Sequence, residues 1–137
     1  MNKAVTKSIA TSGIIVILSC IVLFHVLVML GIIPFGIVWG GRLKSSSQML
    51  MFEITSIIIN LTMLTVVGVH AGVLNVRVNR KVVKSALWVM FALFLLNTVG
   101  NLFSNNETEK LIFTPLTILL SLFCLRLAVS RDAESAH

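Results

Sequence analysis

Apolar residues along this chain fall into four long runs, at 9–33, 49–74, 83–103 and 111–129. Each approaches or exceeds the roughly 20 helical residues that cross a hydrocarbon core. A backbone amide in lipid needs a partner within its own segment, so the runs are predicted to be helices. Strands of a membrane barrel would show short alternating segments instead. Breakers and charge mark the connections. Gly31 and Pro34 close the first run, because proline cannot continue the amide ladder. Residues 34–48 then form an outer segment whose first half is apolar and whose Trp39 is the kind of ring that sits at headgroup level. Residues 75–84 form a short basic turn, which makes the second and third helices antiparallel neighbours. The predicted fold is an all-α membrane protein, one domain over 1–137, with four transmembrane helices in an antiparallel up-down bundle.

The polar interruptions of these runs are few and ordered. Glu53, Ser56 and Asn60 recur at spacings of three and four, which puts them on one helix stripe. Asn97, Asn101 and Ser104 do the same on the third helix, and Thr114, Thr117 and Ser121 on the fourth. With a rise of about 1.5 Å per residue, His25, Glu53, Asn97 and Thr117 lie at a common depth, roughly 6–9 Å inside the outer boundary. Asn101 and Thr114 fall above that level and Asn60 below it.

Such stripes cost insertion free energy unless they face one another or water. They are therefore predicted to converge on a small outward-facing polar pocket of His25, Glu53, Asn60, Asn97, Asn101 and Thr117, roofed by the Trp39 segment. A plainer role is interhelical hydrogen bonding, worth about 0.6 kcal/mol per bond on average. Glu53 can also reach outward toward Arg42 or Lys44. On sequence alone this structural role is preferred. Deeper in the second helix, Gly68 and Gly72 form a small-x-x-x-small pattern, read as a helix-packing seam.

Composition supports lipid as the solvent. The chain is 57% hydrophobic and 12% charged, with a mean hydropathy of +1.01, whereas soluble domains are roughly a quarter charged. The net charge of +6 follows the positive-inside rule. Lys3, Lys7, Arg77, Arg80, Lys81, Lys84, Arg126 and Arg131 fall on one side, and only Arg42, Lys44 and Lys110 on the other. Both termini are thus expected in the cytoplasm, with Arg77, Arg80, Lys81 and Lys84 setting the topology, in the plasma (inner) membrane of a bacterium. Anionic headgroups suffice as partners for this charge, so no nucleic-acid partner is called for. The first run is too long for the apolar region of a cleaved signal peptide. The lipobox-like Ile17-Leu18-Ser19-Cys20 continues straight into further apolar residues and His25, so an uncleaved helix is expected.

Sharper chemistries fail on geometry. His25 and His70 are separated by roughly 20 Å along the membrane normal, too far to hold one haem between them. Cys20 and Cys124 are isolated thiols rather than the paired cysteines of a disulfide-exchange enzyme. No metal cluster, nucleophilic triad or phosphate loop stands out, so neither cofactor nor enzymatic activity is expected. In size and helix count the chain is similar to small multidrug exporters, but it lacks their carboxylate in the middle of the first helix. The expectation is a non-enzymatic structural or partner-binding membrane component, with a homo-oligomer or another membrane protein as partner besides the bilayer. The alternative is a small transporter or ligand-binding protein using the pocket around Glu53 and His25.

Overall fold

The computed structural model describes residues 3–130. Residues 131–137, Arg131 among them, lie outside the described residues, as do the side chains at 3–5. Four helices make up the fold: α1 (Lys3–Met29), α2 (Ser46–His70), α3 (Arg80–Leu102) and α4 (Glu107–Ala128). Two 3-10 turns, Phe35–Ile37 and Trp39–Gly41, sit between α1 and α2, and no strand occurs among the described residues. All four helices are long and apolar enough to cross a membrane, which fits a small membrane protein.

The helix ends are set by local chemistry that shifts them from the hydropathy boundaries. Past α1, Gly31 adopts φ 75°. Its N–H bonds the Val28 carbonyl, while the N–H of Ile32 reaches Leu27. This left-handed glycine closure stops the helix at Met29 although apolar residues continue. Gly72 closes α2 in the same way, with φ 74° and the N–H of Val73 bonded to the Gly68 carbonyl. At the other end of α2, Ser45 caps the helix by accepting from the N–H of Gln48, whose own side chain accepts from Lys44 N–H. Asn79 caps α3 and Asn106 caps α4, each supplying an acceptor to an amide that has no partner within the helix.

This geometry corrects the expected Gly68–Gly72 seam. Gly72 lies beyond the helix in the closing turn, with open space where its side chain would be. Gly68 is covered by Leu74 of its own connection rather than by another helix. The close approach occurs instead between α1 and α4, where the Phe123 ring fills the space a side chain at Gly13 would need.

α1 packs against both α2 and α4, and α3 lies along α4, while α2 and α3 form the sparsest of the four neighbouring helix pairs. The core runs through the middle of this array, with Ile14 and Leu18 of α1, Val67 of α2, Leu87 of α3 and Leu120 and Leu127 of α4 fully buried. A second, smaller cluster of Val28, Val38 and Met49 seats the α1–α2 connection on the helices. No more than 33% of any spanning window is buried, so most of the remaining surface is the apolar exterior that a bilayer would cover.

Candidate functional site

Two carboxylates organise one end of the molecule. Glu53, two turns into α2, has no exposed surface. Its Oε2 lies 2.6 Å from His25 Nδ1 near the end of α1, and its Oε1 accepts a 2.9 Å hydrogen bond from the indole Nε1 of Trp39. One proton between Nδ1 and Oε2 completes this pair. The second carboxylate, Glu109, stands in the first turn of α4. Its Oε2 accepts from the backbone N–H of Gly40 and from the hydroxyl of Ser104, both at 2.7 Å. Beside it, Asn106 Nδ2 donates to the Ile37 carbonyl at 2.9 Å.

These contacts hold the α1–α2 connection in an uncommon shape. Trp39, Gly40 and Gly41 have φ of 55°, 66° and 70°. The left-handed region costs a residue with a side chain roughly 1–2 kcal/mol, a penalty the two glycines escape. At Trp39 that strain is offset by the indole bond to Glu53 and by edge-on packing of the Trp39 and Phe52 rings at 5.0 Å. The tryptophan expected at headgroup level therefore turns its indole inward, onto a buried carboxylate.

Beneath this clasp lies a cleft of about 310 Å³ to which all four helices contribute. His25, Asn60, Asn97, Asn101 and Thr117 line it together with Phe24, Ile59, Met63, Leu93, Phe94 and Phe113. Five of the six residues placed in the polar pocket from sequence thus share one cavity. The sixth, Glu53, stands behind His25 and Trp39 rather than in the lining. Thr117 is the junction on the α3–α4 side: its hydroxyl lies 2.9 Å from that of Thr98 and receives a 3.4 Å bond from Asn101 Nδ2. Asn60 Nδ2 turns back to the Ser56 carbonyl at 2.7 Å, which leaves its oxygen available. The Asn97 side chain makes no hydrogen bond among the described residues and is exposed, on the side where α2 faces α3.

Sequence reasoning missed three contributors: Trp39 as a donor to Glu53, Glu109 as the second anchor, and Thr98 as the partner of Thr117. A signal existed for Glu109. Asn106-x-x-Glu109 ahead of an apolar run is a helix-start pattern, which places Glu109 inside α4 rather than in a solvated loop. Among the described residues no group of three or more His, Cys, Asp or Glu side chains is arranged to hold a metal ion.

Searches of protein-family models, of curated proteins and of solved structures return no match for this chain. Four apolar helices with a polar cleft near one end describe the class, a small membrane protein. Its role has to be argued from the cleft.

Proposed function

We propose that this chain is a non-enzymatic, multi-pass component of a bacterial inner membrane that binds a small amphiphilic ligand in the cleft beneath Trp39. In this reading the helices run alternately up and down as an antiparallel bundle, both termini are cytoplasmic and the cleft belongs to the outer half. The observation that carries the proposal is Asn97, whose exposed amide lacks a partner at the α2–α3 side of a polar cavity. A polar group open to hydrocarbon is costly, and an occupant that bonds it removes the cost. Size favours a small molecule over a partner helix: about 310 Å³ is within the range of ligand pockets, whereas a helix with its side chains is about 10 Å across.

The lining also limits the ligand. It contains no Lys or Arg, its imidazole is engaged by Glu53, and Glu109 is its acidic member. A neutral or cationic head with hydrogen-bonding groups suits the asparagines, and an apolar body suits Phe24, Phe94 and Phe113. Native mass spectrometry of the detergent-purified protein is expected to show a co-purified small-molecule adduct that Asn60→Leu/Asn97→Leu removes without changing the oligomeric state. If no adduct is found and the same variant alters the oligomeric state, the polar stripes join copies of the chain and the ligand reading is overturned.

A further inference from the structure

A second cavity lies at the opposite end, and the clasp and its cleft do not involve it. It encloses about 410 Å³ between the start of α1, the α2–α3 turn, the first turns of α3 and the end of α4. Its walls carry Lys7, Arg77, Arg80 and Lys84 together with His70 and Ser130. None of these four cations makes an ion pair among the described residues. The described acids Glu53, Glu107 and Glu109 all belong to the clasp end or its margin. From this convergence we propose that the cavity binds a phosphate group.

Three features select phosphate over a diffuse cloud of counterions. The cations come from separate segments, α1, the turn and α3, yet surround one volume. Two of them are arginines, whose planar forks pair with phosphate oxygens in a bidentate manner. The cavity is also bordered by the N-terminus of α3, a 23-residue helix whose dipole favours an anion. Like charges around one cavity repel one another when no anion is present, so a bound phosphate would offset that repulsion as well as form new bonds. A phosphate of this kind is available from an anionic phospholipid headgroup or from a soluble phosphate compound, and the chemistry of the walls is the same for both.

The neighbouring Lys81 supplies the decisive control. It stands in the same turn and carries the same charge, but it does not line the cavity. The full chain is placed in nanodiscs of phosphatidylcholine alone or mixed with phosphatidylglycerol, and its thermal unfolding is followed with and without added inorganic phosphate. A rise in unfolding temperature with phosphatidylglycerol but not inorganic phosphate assigns the lipid source, and the reverse assigns the soluble one. In either case Arg80→Gln is expected to weaken the apparent affinity, read from the dependence of the response on phosphate or phosphatidylglycerol content, about fivefold, from the roughly 1 kcal/mol of one basic residue near a charged surface, and Lys81→Gln much less. Both positions are exposed, and circular dichroism checks that helical content is unchanged. No response to either phosphate source, or equal losses from Arg80→Gln and Lys81→Gln, overturns the proposal.

Discussion

Replacing Glu53 tests whether the clasp stabilises the fold. In Glu53→Ala the Trp39 indole N–H and His25 Nδ1 both lose their hydrogen-bond partner, now 2.9 and 2.6 Å away. Leaving a buried polar group unsatisfied costs about 1–3 kcal/mol, but hydrogen bonds measured within membranes average only about 0.6 kcal/mol. Exposure decides between these limits. The His25 side chain is 14% exposed and Trp39 37%, so each can recover part of its hydrogen bonding from water or headgroups. A loss of about 2 kcal/mol is therefore expected. Glu53→Gln should cost about 1 kcal/mol or less, because its oxygen still accepts from Trp39 and its amide can donate to Nδ1 of a neutral imidazole. Unfolding is measured in detergent in a Trp88→Phe background, where the emission of Trp39 reports the clasp alone. Glu53→Ala is expected to red-shift that emission as the indole swings out, and Glu53→Gln to leave it nearly in place. Unchanged stability and unchanged emission in Glu53→Ala would refute the reasoning.

Three further outcomes follow from other parts of the fold. Gly13→Ala should destabilise the protein by about 1–3 kcal/mol through overpacking against Phe123, and Phe123→Leu should restore much of the loss. A denaturation series on the two variants and their combination checks this coupling. Gly40→Ala is expected to cost about 1–2 kcal/mol, since an alanine there is forced into the left-handed region, and protease cutting within 34–45 should become faster. For the proposed orientation, in a background free of Cys20 and Cys124, a membrane-impermeant thiol reagent applied to intact cells should label Ser46→Cys and spare Ser85→Cys. Labelling only at position 85 would invert the topology.

The parts legible in the sequence are those governed by one-dimensional rules. Run length identified four helices, and counting helical rise brought His25, Glu53, Asn97 and Thr117 to one level, with Asn101 just above and Asn60 below. That depth argument works because a helix converts residue number into distance almost linearly. The clasp was not legible in this way. Its shape depends on three consecutive left-handed residues, and although the glycines at 40 and 41 mark a turn, nothing local says which way the side chain of the preceding Trp39 leaves it. Gly13 was passed over for a related reason. A lone glycine in an apolar run becomes informative only when the opposing ring is known, whereas Gly68 and Gly72 matched a pattern whose second member serves to close the helix.

The arrangement of contacts also has a mechanical consequence. The α1–α2 pair and the α3–α4 pair are joined along one edge by the α1–α4 seam, with Gly13 under Phe123. They are tied a second time across one end, where Gly40 and Ile37 bond to Glu109 and Asn106. A body with one long hinge and one end strap cannot part evenly. Any widening between α2 and α3 is limited at both ends, by the strap at one and by the covalent α2–α3 turn at the other, so the gap has room to open only between them. Severing the Gly40 to Glu109 tie would free the clasp end alone, because the chain itself still holds α2 to α3 at the basic end.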